Sequence, residues 1–231
     1  DYMRCMLEGK SLRACANEVG ICLKTSFEWR HKILAAIRAL EGGISFSGIV
    51  EADELLMKYS EKGRKFKNKE EYQRAKKKKH PKVAVLVVTD REGNILFKQV
   101  GEKKVKNEQL REELKSRLSE NNLICVKPKK EFRKGIKCLQ SKKVIVNKRQ
   151  IKRGIYSIKI VESKISDFKT WLSRFHGVAT KYLQSYLMWF VIMNKYLKEL
   201  IDPDIGRLLN LSSHDRWAWD KYREIVSQRY D

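Results

Sequence analysis

Apolar positions along the chain repeat with two different periods, and the period changes where glycine or proline intervenes. Leu12, Cys15, Ala16 and Val19 follow a helical spacing behind Ser11, a good N-cap. Gly20 breaks that helix. Phe27, Trp29, Ile33, Leu34 and Ile37 then mark the apolar side of a second one. Residues 44–57 (ISFSGIVEADELLM) read as a strand opened by Gly42 and Gly43. VAVLVVTD (83–90), the turn REGN and ILFKQVG (95–101) read as a β-hairpin, with Gly93 supplying the positive φ of the turn. A charged helix is predicted over 106–120, a short buried strand over Leu123–Val126, partial helix over 127–139 and a further strand over 144–146. Ile158, Val161, Ile165, Phe168, Leu172 and Phe175 alternate at spacings of three and four, a strong amphipathic stripe that Gly177 ends. Residues 178–200 are apolar on most sides, so that helix is expected to be buried, and its aromatics to be core. Pro203 stops it, and 213–231 reads as a small terminal helix. The order of elements predicts an α/β chain with a mixed sheet flanked by helices, without internal repeats.

Charge narrows the function. The chain has 231 residues, with 51 Lys and Arg against 28 Asp and Glu, a formal net charge of +23. Such self-repulsion points to a polyanionic partner. A membrane is excluded as a spanning environment, because the longest apolar run, Tyr186 to Met193, falls well short of the roughly 20 residues a spanning helix needs. No secretory signal opens the chain, and its first residue is Asp1 rather than Met, which suggests a piece upstream. The cysteines number five, an odd count, and form no CxxC. Free thiols in a reducing, cytoplasmic compartment are expected.

The positive charge is concentrated. Residues 59–82 hold 11 Lys or Arg against three Glu and include the run Lys76, Lys77, Lys78 and Lys79. Residues 127–153 hold 12 against one Glu. Both fit backbone contacts to nucleic acid. The helix pair at 11–38, with Ala16 four residues before Gly20, matches a helix-turn-helix. In that reading Lys24, Thr25, Ser26, Glu28 and Arg30 face a DNA groove; a plain helical hairpin is the competing reading. The basic background is interrupted once, in IVEADELL. Strand alternation puts Glu51 and Asp53 on one face and Glu54 on the other. Glu162, beside the apolar stripe, is the other placed carboxylate, with Lys169 two helical turns further along the same face. Spacing alone is equally satisfied by a solvated flank with an ion pair.

Three stretches give this pattern a family. SLRACANEVGICLKTSFEWRHKIL, GIVEADELL and GIYSIKIVESKISDFKTWLSRFHGVATKYLQSYLMWF together resemble the ISXO-type insertion-sequence transposases, DDE-class enzymes with a ribonuclease-H-like core. The resemblance spans roughly residues 5–198. It implies a helix-turn-helix ahead of the catalytic core, and a zinc ribbon further upstream in many members. Carried over residue by residue, Asp53 matches the first catalytic Asp, Glu162 the third acidic position, and Lys169 a lysine expected to touch DNA. Asp53 and Glu162 are then the implied ligands of Mg²⁺ or Mn²⁺. The second catalytic Asp is missing. It should follow LICV, where Lys127 stands instead; Glu131 lies four positions on, past Pro128. The exchange changes the local charge by two units. An ammonium at 4 Å from a divalent ion is repelled by about 2 kcal/mol even in bulk-water dielectric. Weak metal binding and little strand transfer are expected.

The resulting expectation has a helix-turn-helix over 1–40, a ribonuclease-H-like core over 41–200 and a helical tail over 201–231. Its function is that of an insertion-sequence transposase. It binds double-stranded DNA at transposon ends and target, as a homo-oligomer on DNA, in the bacterial cytoplasm at the nucleoid. Metal-dependent phosphoryl transfer is impaired by Lys127. A catalytically dead or domesticated copy that only binds DNA is the first alternative, and a basic RNA-binding protein the second.

Overall fold

The computed structural model describes residues 1–146, 155–195 and 217–227. Three helices open the chain: α1 (Tyr2–Leu7), α2 (Leu12–Val19) and α3 (Leu23–Ile37). The Ser11 hydroxyl accepts the amide proton of Ala14, and Gly20 closes α2 at φ +72°, a left-handed angle that favours glycine. One stretch of 3₁₀ helix (Arg38–Gly43) then leads toward the sheet.

Five strands form that sheet: β1 (Ile49–Met57), β2 (Val83–Asp90), β3 (Ile95–Glu102), β4 (Leu123–Val126) and β5 (Lys142–Ile145). Their order is β3-β2-β1-β4-β5. β2 runs antiparallel to both β1 and β3, whereas β4 pairs parallel with β1 and β5 parallel with β4. This order and these directions are those of a ribonuclease-H-like fold. The first strand starts at Ile49 rather than at residue 44, because Ile44 and Phe46 enter the core from an irregular segment. Every residue of β2 is buried, which explains its unbroken apolar run. Asp90 ties the hairpin turn by accepting from the Asn94 amide at 2.8 Å and from Ser47 N at 3.0 Å.

The remaining helices are α4 (Lys69–Lys77), α5 (Asn107–Lys115), α6 (Lys130–Lys137), α7 (Lys159–Ser173), α8 (Thr180–Lys195) and α9 (Trp217–Ser227). The stripe predicted for α7 is turned inward: Ile158, Val161, Phe168 and Phe175 are buried, while Ile165 and Leu172 pack at its margin. This helix lies against β1 and β2. α8 is buried over most of its circumference and packs against α3 and β3. Its Gln184 serves the outer edge of β3, donating to Phe97 O and accepting from Gln99 N, and so satisfies edge groups that would otherwise lack partners. The part of this helix expected beyond Lys195, and the stop at Pro203, lie outside the described residues.

One hydrophobic cluster runs from Tyr2, Met6 and Leu34 through the sheet to Trp189 and Ile192. The N-terminal helices therefore share their core with the sheet. Among the described residues, no helix is long and apolar enough to cross a membrane. All five cysteines are free thiols.

Candidate functional site

The chemistry-bearing residues meet where β1, the end of β4 and the first turns of α7 converge. Ala52 pairs with Val126 across the parallel β1–β4 ladder. The residue that follows Val126 therefore stands beside Asp53. That residue is Lys127, and its Nζ lies 2.5 Å from Asp53 Oδ2 and 2.8 Å from Glu162 Oε1. Lys129, across Pro128, reaches the same group from the other side. Its Nζ is 3.2 Å from Asp53 Oδ1 and 2.8 Å from Glu54 Oε1. The side chain of Asp53 is only 5% exposed, that of Glu162 42%. The fold thus brings together Asp53, Lys127 and Glu162, as the resemblance implies.

Electrostatics explain why this cluster is tolerated. Three carboxylates (Asp53, Glu54, Glu162) face two ammonium groups, leaving one formal negative charge. Burial works to lower the pKa of Lys127, but its hydrogen bonds to Asp53 and Glu162 outweigh that and raise it. The ammonium form is firmly held.

Glu51 sits on the same face of β1 and is fully buried. It accepts from the backbone amides of Ile160 (2.9 Å) and Val161 (3.1 Å) and from the Ser157 hydroxyl. These amides belong to the first turn of α7, whose donors have no partner within the helix. Glu51 therefore caps α7 from the sheet and fixes the helix that carries Glu162. Burial pushes its carboxyl above the ordinary range, and the three hydrogen bonds only partly oppose that.

The donor set does not fit a pair of divalent cations. Such a pair, about 3.5–4 Å apart, is bridged by carboxylate oxygens that must be open to it. Here both oxygens of Asp53 already accept from ammonium groups, as does Glu162 Oε1. Among the described residues, no group of three or more His, Cys, Asp or Glu converges to hold a metal. Glu131 offers no substitute, since it pairs with Lys104 at 2.8 Å.

The expected DNA-facing residues divide. Lys24 and the four lysines Lys76, Lys77, Lys78 and Lys79 are exposed, Thr25 is half-buried, and Lys169 is exposed two turns beyond Glu162 on α7. Arg30 and Ser26 are corrected: both are fully buried. Ser26 Oγ donates to Leu12 O at 2.9 Å. Arg30 Nη2 donates to Lys10 O at 2.8 Å and to Cys15 Sγ at 3.0 Å, and its guanidinium lies over Trp189 and Phe175. Arg30 is covered by Trp189 of α8 and Phe175 of the α7–α8 turn, whereas Ser26 is covered by α1 and the start of α2 through Tyr2 and Leu12. Glu28 is half-buried, with α9 packed against its helix.

Two parts of the site escaped the sequence reading. Lys129 was only one lysine of a basic run, although its spacing from Lys127 across a proline at a strand end is a usable signal. The capping role of Glu51 depends on where α7 begins, which no motif in the sequence marks.

The family whose model matches the chain is described as an ISXO2-like transposase domain, and the match covers residues 45–192. No curated protein sequence matches the chain. Among solved structures, a pre-cleavage Mos1 transpososome is similar over 96% of this chain and 76% of that chain, at 10% identity and a TM-score of 0.39.

Proposed function

The chain belongs to the ISXO2-like transposase family, and on that premise we propose that it binds transposon-end DNA while its carboxylate centre is closed to metal-dependent phosphoryl transfer. One observation carries the second half: the Lys127 ammonium lies between Asp53 and Glu162, within 2.8 Å of both. A cation needed by the family's chemistry would have to displace a lysine whose charge the same carboxylates stabilise. No step through a metal is derived for this chain.

Support for DNA binding is electrostatic. The net charge is +23, and the exposed lysines of α4 and of the α6–β5 region give backbone-contacting groups. The α2–α3 pair presents Lys24 and Thr25 at the start of its second helix, the end that reads base edges in a helix-turn-helix. Lys169 then contacts a phosphate near the closed centre. Assembly on DNA as a homo-oligomer, with end and target duplexes as partners, follows the same reading.

The test is an end-sequence duplex incubated with the protein and Mg²⁺ or Mn²⁺. Binding without nicking is expected, with affinity that drops steeply as salt rises. Efficient nicking by the unaltered chain would overturn the closed-centre reading and make the Lys127 ammonium a stand-in for one cation. Stronger binding to RNA than to duplex DNA would favour a basic RNA-binding protein.

A further inference from the structure

The sheet separates two helix layers. Glu51, on one face of β1, holds the first turn of α7, and Phe97 of β3 packs against Phe168 of α7 and Phe190 of α8 at centroid distances of 5.1 and 5.5 Å. α3 packs on α8, so the α2–α3 pair belongs to this layer. Glu54, on the other face of β1, accepts from Val105 N just before α5 and from Lys129 just before α6. α5 and α6 therefore form the opposite layer. The sheet and two helix thicknesses, roughly 30 Å, lie between the outer surfaces of the two layers.

α6 turns Phe132 and Ile136 inward and is pressed onto α5, since a Cβ at Gly135 would meet Leu110 at 2.8 Å. Its outer side carries Lys130, Arg133, Lys134 and Lys137, all exposed, at helical positions i, i+3, i+4 and i+7. Among the described residues no carboxylate forms an ion pair with any of them, and Glu131, the acidic residue of this helix, is taken by Lys104. Like charges at these spacings repel, and Lys130 opens the first turn against the helix dipole. Helix α4 shows the contrast. Glu70 and Glu71 stand in its first turn and Arg74, Lys76 and Lys77 in its last, so its charges also serve the helix itself. The stripe on α6 has no such internal use. α6 packs on β5, where exposed Lys142 and Lys143 prolong the cationic surface. The stripe spans about 10 Å, a length over which a duplex carries about six phosphate charges. Phe132, the aromatic residue of this helix, is buried, so α6 offers no platform for unstacked bases and suits a paired helix.

We propose that the outer face of α6 binds a second DNA duplex through its phosphates, without regard to sequence, so that one chain holds two duplexes on opposite layers of the sheet. The inference rests on the reading in which the α2–α3 pair binds the first.

The experiment counts duplexes per chain by analytical ultracentrifugation of the full chain in excess dye-labelled DNA of about 20 base pairs, roughly two helical turns. At low salt the parent should hold two. The variant carrying Arg133→Gln, Lys134→Gln and Lys137→Gln should hold one, with the melting temperature of the parent. Its affinity for the second duplex should fall by at least about tenfold, and the salt slope by about 0.9 for each phosphate no longer neutralised. Lys58→Gln combined with Arg223→Gln removes exposed cations elsewhere and should keep both duplexes. Saturation of the parent at one duplex, or two duplexes that survive the α6 variant, overturns the second site and leaves DNA binding standing. Loss of the second duplex in the Lys58 and Arg223 variant would make net charge the cause and overturns the site as well. Binding of no duplex overturns the DNA reading and this inference with it. A second site that takes double-stranded RNA of equal length in place of DNA overturns the assigned occupant.

Discussion

The carboxylate of Glu51 accepts the amide proton of Val161 at 3.1 Å and so fastens the start of α7 to the middle of the sheet. Removing it leaves the amides of Ile160 and Val161 without a buried partner. Glu51→Ala should therefore lower stability by about 2–4 kcal/mol, from two unsatisfied amides and a small cavity. Glu51→Gln keeps one carbonyl oxygen in place and should cost less than half as much. Urea denaturation near neutral pH measures both.

Lys127→Asp should convert the centre into one that responds to divalent ions. Without metal the variant gathers three carboxylates and should melt lower than the parent. Adding Mn²⁺ to about a hundred times its dissociation constant should raise its stability by about 2.7 kcal/mol. The parent should not respond. Equal thermal shifts in the two proteins would show that the ammonium does not block the site.

Lys127→Ala isolates the structural part of the same interaction. Breaking a buried ion pair commonly costs about 3–5 kcal/mol. Lys129 remains 3.2 Å from Asp53, so a smaller loss of about 1–3 kcal/mol is expected. A loss beyond that range would mean that Lys129 does not shield Asp53.

Acid should destabilise the fold through His31. Its folded-state pKa, about 3, lies below its ordinary value of 6.5 because burial disfavours the imidazolium. The unfolded chain then binds the proton more readily, so stability falls as pH drops from 6.5 toward 3, by up to about 1.4 kcal/mol per pH unit. Glu51 acts in the opposite sense. Its raised pKa favours the folded state below the ordinary carboxyl value, and that contribution disappears as pH rises through the raised one. His31→Phe keeps the ring and removes the titration. Its stability profile over the acid range below the ordinary histidine pKa should be flatter than that of the parent.

Arg30 and Lys24 should behave as different kinds of residue despite sharing a helix. Arg30→Ala removes a buried hydrogen-bonding guanidinium and should cost about 3 kcal/mol of stability. Lys24→Ala should leave melting unchanged and weaken DNA binding. Replacing Lys76 through Lys79 by Ala should weaken all sequences alike. It should also flatten the salt dependence by about 0.9 in slope for each phosphate that is no longer neutralised.

Periodicity was informative wherever one element decides its own burial. The six-residue stripe of α7, the hairpin at Gly93 and the capped break at Ser11 and Gly20 are local features. Packing between distant segments was not legible in the same way. That Arg30 turns inward follows from Trp189 of α8, more than 140 residues on, and that Ser26 does follows from Tyr2 of α1 and Leu12 of α2. The juxtaposition of Asp53, Glu162 and Lys127 was reachable because a family resemblance carried the topology. Lys129 and the cap by Glu51 were not, since both depend on how a short loop and a helix start meet the sheet.

Arg30 and Phe27 bind α3 into the same core as the sheet, and this shapes how the protein can change over generations. A reading head on a flexible tether can be exchanged whole between mobile elements. Here an exchange of residues 1–40 would open the cluster around Trp189 and strip it of the guanidinium that stacks on it. If the proposed DNA reading holds, new end preferences then arise one side chain at a time, at positions such as exposed Lys24 and half-buried Thr25, with the interior of the helix held fixed.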